Sequence, residues 1–291
     1  MMSEIEVRQR ARKFVDEANA GEIPAMHAYA KLANARIRSE SLGRGESAST
    51  IKHPKGGFVI TVNEDETDER QRFSICHEIG HIVLELPTVH GDKPIWTAVK
   101  RHPNEVMCDW FASELLMPYK AFEKRIPSGD PSVAVIEDLG KVFGSSFPAT
   151  ASRYASLAAF PCAYVMMDGE TVTYASANTA FRSKGIRIAC KCPIPHGSVA
   201  QRLRTDGRRA TDTEQIAQDI WIENCEAGYD LWELSRHNSE YDETISLLWC
   251  TEEDLPRGEV DRFNKRIDED NGGLEELTGV ISWEKHGPRR K

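Results

Sequence analysis

The sequence predicts an α+β chain, and three observations carry the prediction. Residues 68–86 and 104–117 repeat apolar side chains at helical spacing. Residues 57–63 form a short β-branched and aromatic run, which reads as a strand. Beyond residue 161, short apolar runs alternate with turn residues and with helical segments, the texture of a further α/β unit.

Composition narrows the class. The 291 residues suffice for more than one domain, and 40% hydrophobic with 29% charged residues is ordinary for a globular protein. A net charge of -9 argues against a broad nucleic-acid surface, while leaving room for a local basic patch. Seven cysteines, scattered and odd in number, do not form a disulfide framework. Met1 to Glu6 is polar and acidic, without the apolar core of a signal peptide. No apolar run approaches the roughly eighteen residues of a membrane span. The expectation is a cytoplasmic protein with reduced thiols.

In chain order, 3–19 and 24–37 read as helices. Ile5, Ala11, Phe14, Val15 and Ala18 give the first an apolar side, and Ala25, Ala28, Ala30, Leu32 and Ile37 do so for the second. Residues 39–49, with Gly43 and Gly45, read as a loop. The strand at 57–63 is expected either to border a cleft, where an extended peptide pairs with its edge, or to lie buried in the core.

The helix that follows carries the chemistry. Asp68 is the expected N-cap, with Gln71 in a capping-box relation, and Pro87 the expected stop. Ile75, Cys76, Ile79, Ile82, Val83 and Leu86 form its apolar stripe. His77 and His81 lie nearly opposite that stripe, with Glu78 on its flank and Gly80 leaving room beside them. Two histidines four apart project from one helix side, a spacing that lets both imidazoles bind one zinc ion at about 2.0–2.1 Å. A glutamate beside the first histidine is placed to act as general base.

A zinc site of this kind needs a third protein ligand. Residues 104–117 supply candidates on a helix opened near Pro103 and closed by Pro118. Glu105 and Asp109 share one face. Glu105 is assigned as third ligand and Asp109 as the partner that fixes a ligand histidine through its other ring nitrogen. Glu114, close to the helix stop, is the competing ligand. Between the helices, 88–103 contains His90, Trp96 and His102 and reads as a lid or substrate wall; both histidines read as surface residues. Tyr119 and His102 are the candidates for stabilising an oxyanion, and the sequence does not choose between them.

Arg70-Gln71-Arg72-Phe73, His77-Glu78-Ile79-Gly80-His81, Glu105, Asp109, Phe111-Ala112 and Leu115-Leu116-Met117-Pro118 together resemble the ImmA/IrrE family of metallopeptidases. The resemblance covers about residues 56–118, with Asp109 where the family often has Asn and Cys108 where it often has Ala. It implies a zincin-like fold, His77, His81 and Glu105 as metal ligands, and Glu78 as general base. Zinc is the implied ion, and manganese or iron can occupy the same donors.

Residues 131–160 read as a helical hairpin of helix-turn-helix shape, turning at Gly144-Ser145-Ser146. Arg153 is nearly alone as a positive charge on its second helix, so direct DNA reading is not expected. From 161 onward, 162–167 and 171–174 read as a hairpin around Asp168-Gly169, 186–190, 229–232 and 244–249 as strands, and 213–224 and 260–267 as helices. Long members of the resembled family carry a GAF-type sensor domain in this place, which is the expectation here by analogy. Trp221, Trp232 and Trp249 read as core, Cys190 and Cys192 as plain thiols, and the basic tail at 288–291 as solvated. The expected domains are 1–125 as peptidase, 126–160 as the helical segment and 161–291 as the sensor-like unit.

The implied function is a metal-dependent endopeptidase in which Glu78 takes a proton from the attacking water and passes it to the leaving amine. By the resemblance, its partner is a repressor of the XRE helix-turn-helix type, cut to derepress stress, DNA-damage or mobile-element genes. Two alternatives stand beside it. One is a non-proteolytic regulator that binds DNA or a protein, with a structural or sensing metal. The other is a peptidase of broad specificity.

Overall fold

The computed structural model describes residues 2–18, 21, 23–43, 45–87, 102–183, 186–207, 210–223, 230–251 and 254. The helix expected at 260–267, the basic tail and all but the last two residues of the lid expected over 88–103 lie outside these residues.

Helix α1 (Glu4–Ala18) buries Val7, Ala11 and Phe14, which recur at four and three residues along one face. Helix α2 (Met26–Leu32) is shorter than expected. At Asn34 the chain takes a positive φ of 52°, and strand β1 (Ala35–Glu40) follows in place of further helix. Strand β2 (Ala48–Lys52) likewise occupies part of the expected loop. Both strands are too polar to announce themselves, because only one face of each meets the core.

Strand β3 (Phe58–Asn63) lies in the middle of a sheet ordered β1-β3-β2, parallel to β1 and antiparallel to β2. It is therefore a core strand. The edge-strand expectation fails for 57–63, and β2 is the outer strand on that side among the described residues. Ile60 and Val62 point into the core, and their partners across β2 are Thr50 and Ala48.

Helix α3 (Asp68–Leu84) packs across this sheet. Its N-cap is Thr67, whose hydroxyl accepts the Arg70 N–H; Asp68 is the first helical residue. Gln71 donates its side-chain amide to the Glu66 carbonyl at 2.8 Å, so the expected capping box is replaced by a turn clamp. The helix ends before Pro87, at Glu85, which takes the left-handed conformation with φ 54°. Helix α4 (Pro103–Leu116) lies beside α3, with the His102 side chain accepting from Asn104 N–H as its cap. A Cβ on Gly80 would stand 3.3 Å from the Cα of Cys108, so the glycine admits α4 to close approach.

Helix α5 (Tyr119–Glu123) leads to α6 (Val133–Phe143) and α7 (Phe147–Leu157). Gly144 ends α6 at φ 60°, and Ser146 caps α7 by accepting from Ala149 N–H. Arg153 of α7 is buried against Glu114 at 2.9 Å and donates to the Met117 carbonyl at 2.7 Å. The same carboxylate receives Arg12 at 3.2 Å and the Tyr119 N–H at 2.9 Å. One buried anion thus ties α1, α4, α5 and α7 together.

The second sheet is antiparallel throughout, in the order β6-β5-β4-β9-β8-β7. Its strands are β4 (Cys162–Asp168), β5 (Thr171–Ala177), β6 (Cys192–Pro193), β7 (Thr211–Ala217), β8 (Asp230–Asn238) and β9 (Glu243–Trp249). Gly169 turns the β4–β5 hairpin at φ 54°. Alternation sorts the side chains. Tyr164, Leu234, Ile245, Leu247 and Trp249 join the core formed by α1, α3, α4, α6 and α7. Ala163, Val165, Met167, Leu231 and Leu248 face the other way, onto Phe181 of α8 (Thr179–Arg182) and Val199 and Leu203 of α9 (Val199–Asp206).

Two sequence readings are corrected here. Where the sequence predicts a helix over 213–224, residues 213–217 belong to β7 and Gln218–Ile220 form a 3-10 turn, because Ile216 packs as one tooth of a strand opposite Leu231. Residues 186–190 make only an isolated bridge, Ile188 to Ile222. Trp221 and Trp249 are buried, whereas Trp232 is 39% exposed and stacks on Trp249 at 6.0 Å. Among the described residues no helix is long and apolar enough to cross a membrane.

Candidate metal centre

His77, Glu78 and His81 come from the middle of α3, and Glu105 and Asp109 from the first half of α4. The apolar stripe of α3 drives it against the sheet. The Gly80–Cys108 contact then sets the separation of the two helices. As a result, groups far apart in sequence meet: Glu105 Oε2 lies 3.0 Å from His77 Nε2, and Glu105 Oε1 lies 3.5 Å from His81 Nε2. The two Nε2 atoms are 3.1 Å apart. Ligand atoms of His77, His81 and Glu105 all fall within 4.8 Å of one another, and all three residues are buried.

The remaining ring nitrogens fix the tautomers. His81 Nδ1 is 3.1 Å from the Leu86 carbonyl, which only accepts, so Nδ1 carries the hydrogen. His77 Nδ1 is 3.0 Å from Asp109 Oδ1 and donates to it in the same way. In the neutral rings both Nε2 atoms then present lone pairs. These two lone pairs and the Glu105 carboxylate converge on one small buried volume. Such a set is repulsive until a cation enters, so the donor chemistry fits a metal ion.

Glu78 is 1% exposed, and its Oε2 accepts the Thr50 hydroxyl at 2.6 Å. Thr50 belongs to β2, so the outer strand and the metal helix are joined at this carboxylate. Thr50 escaped the sequence reading. Only the polarity alternation of Ala48-Ser49-Thr50-Ile51-Lys52 hinted at a strand there.

Residues 30–154 match the M78 peptidase family model, described as the IrrE N-terminal-like domain. The chain carries an IrrE N-terminal-like domain. The match runs from within α2 to within α7, and it includes every residue of the centre. Among solved structures, a Mycobacterium tuberculosis transcriptional regulator is similar with a TM-score of 0.54 at 14% identity, over 84% of this chain and 76% of that one. At that identity the likeness concerns the fold alone. No curated protein matches the chain.

The IrrE N-terminal-like domain brings His77, His81, Glu105 and Asp109 together, with Glu78 on the same helix. It does not bring Glu114, which is held by Arg153 and Arg12 in the ion-pair hub. Of the two oxyanion candidates, His102 caps α4 through Nδ1, and the Tyr119 hydroxyl donates to Glu123 at 2.7 Å, which raises the phenol's pKa. Behind the centre, Cys76 is buried against Met26, and burial pushes its thiol up to about 12. Burial also lowers the pKa of Arg70, with Glu66 opposing that shift.

Proposed function

We propose that this chain is a metal-dependent endopeptidase whose ion is held by His77, His81 and Glu105. The observation that carries the reading is the convergence of two imidazole lone pairs and one carboxylate beside an independently anchored Glu78. Zinc suits a His₂Glu donor set, and when bound it would supply Lewis acidity to a water and to the substrate carbonyl.

The protein groups do the rest. Asp109 and the Leu86 carbonyl hold the two rings in the tautomers that leave Nε2 free. Glu78 takes a proton from the attacking water and returns it to the leaving amine. Thr50 holds that carboxylate at one oxygen through the transfer. Strand β2 offers main-chain groups to an extended peptide beside Glu78, which favours an unfolded segment as substrate. Glu78 argues for chemistry, because a purely structural metal site has no use for a buried base at this position.

The substrate we propose is a helix-turn-helix repressor of the XRE type, following the family resemblance, with a regulatory outcome in the cytoplasm. A non-proteolytic regulator is the second reading, favoured by the fold shared with a transcriptional regulator. The deciding experiment mixes zinc- or manganese-loaded protein with an XRE-type repressor, alongside Glu78→Gln and a chelator control. One discrete cut, lost in both controls, supports the peptidase. Repressor binding without a cut, unchanged in Glu78→Gln, supports the regulator. Degradation of casein at many positions supports a peptidase of broad specificity.

A further inference from the structure

The chain has a net charge of -9, yet one cavity reverses that sign locally. A groove of about 780 Å³ is lined by His27 and Lys31 of α2, Arg36 of β1, and His53 and Lys55 of the turn between β2 and β3. Phe58 and Val59 form part of its wall. No carboxylate stands among its described lining residues. Lys31, Arg36 and Lys55 are exposed and make no ion pair among the described residues. Some exposed cations elsewhere do find acids, as Arg38 with Glu40, Lys13 with Glu17 and Lys120 with Asp16, and what sets the groove apart is that its cations line one concave wall together. Uncompensated like charges on a concave wall repel one another, and an anionic occupant relieves that repulsion.

The groove is continuous with the strand that meets the candidate base. Thr50 contacts Glu78, β2 ends at Lys52, and His53 and Lys55 line the groove. At about 3.3 Å per residue, its rim opens roughly 10 Å along the strand from Thr50. A peptide lying along β2 at Glu78 therefore meets His53 and Lys55 at one end of the groove within a few residues, with Arg36 and Lys31 beyond the start of β3.

We propose that this groove is an exosite for the substrate, receiving an acidic segment that lies a few residues to one side of the scissile bond. The proposal rests on the peptidase reading for its geometry. A peptide fits better than a nucleic acid. The cationic groups are confined to one groove, whereas a nucleic acid carries its charge onward over an acidic surface. An isolated run of Asp or Glu places its charge only where the cations are.

The test separates binding from cleavage. Chelator-treated full-length protein is titrated into fluorescein-labelled peptides of equal length that carry an acidic, a neutral or a basic flank, and into a labelled single-stranded oligonucleotide. Anisotropy is expected to rank acidic above neutral above basic. The groove variant K31E/R36E/K55E should weaken the acidic peptide by about tenfold or more, the sum that a few exposed ion pairs supply. The control K13E/K120E/K141E makes the same change in net charge away from the groove and should leave binding within about twofold.

Equal binding of all three peptides overturns the proposal, as does equal weakening by both triple variants. Tighter binding of the oligonucleotide than of the acidic peptide, lost in the groove variant, overturns it in favour of a nucleic-acid site. Cleavage by metal-loaded protein that ignores the acidic flank removes the exosite and leaves the peptidase reading intact. Groove binding with no cleavage of any substrate does the reverse.

Discussion

Thr50 Oγ1 donates to Glu78 Oε2 across 2.6 Å, and this bond joins the outer strand of the first sheet to the helix that carries both histidines. A carboxylate on a helix ordinarily turns freely about its side-chain torsions. Here one of its oxygens is fixed from a second element, and the residue is almost wholly buried. A carboxylate held in this way would lose little entropy in serving as the base proposed above.

Replacing Thr50 by Val keeps the shape and removes the hydroxyl. A hydrogen bond to a charged group contributes about 1.5–3 kcal/mol, so kcat should fall roughly ten- to a hundredfold if the bond persists through the proton transfer. Thr50→Ser should restore most of the loss. Metal content, measured by elemental analysis, should be unchanged in both. A Val variant with full kcat would show that Glu78 needs no anchor.

Asp109 stands one hydrogen bond behind His77, a ligand in the proposed centre. It accepts from His77 Nδ1, and an Asn there can keep a hydrogen bond but not the charge. Partners of this type change metal affinity by about 10–100-fold. Competition against a chromophoric chelator should show a loss of that size in Asp109→Ala and a smaller one in Asp109→Asn. Equal affinity in all three proteins would leave Asp109 without a role at the metal.

The two site helices were legible in the sequence because their chemistry is local. His77, Glu78 and His81 lie within one turn, and Glu105 and Asp109 within another. What joined them was not legible. Gly80 reads as room beside the site, and that room is taken by Cys108 from α4. Thr50 sits on a strand whose solvent face is polar, and at β1 Ile37 fits a helical stripe and a strand alike. Residues 213–224 show the same failure in the second sheet, where Ile216 and Ile220 match a helical period only by chance. Glu114 looked like a ligand candidate because a carboxylate near a metal motif is ambiguous until its cations are located, and those come from α1 and α7.

Those cations make a stability prediction. Glu114 is fully buried and pairs with Arg153, itself 4% exposed. Burial depresses the Arg153 pKa, and Glu114 opposes that shift. Removing one partner of a buried pair leaves the other charge uncompensated, at a cost of about 3–5 kcal/mol. Glu114→Leu should lower the urea midpoint accordingly. The double variant Glu114→Leu with Arg153→Met should recover part of the loss. A double variant no more stable than the single one would place the effect in packing.

Cys76 predicts how stability responds to alkali. Its thiol is completely buried, and its pKa rises from 9.0 to about 12. In the unfolded chain the thiol ionises near its ordinary value, so between about pH 9 and 12 the folded state binds more protons than the unfolded state. Stability therefore falls as pH rises through this window, by about 1.4 kcal/mol per pH unit from this group once the unfolded thiol is ionised. Below pH 9 the group contributes no slope. Urea unfolding at a series of alkaline pH values should show the decline, and Cys76→Ala should make it shallower by about that amount whatever the substitution does to the absolute stability, the buried Cys162 and Cys250 thiols keeping a slope of their own. The same burial should shield Cys76 from iodoacetamide in the native protein while exposed Cys190 reacts. Labelling of Cys76 as fast as Cys190, or an unchanged slope in Cys76→Ala, would mean that the α3 core opens far more readily than its packing against Met26 and the sheet implies.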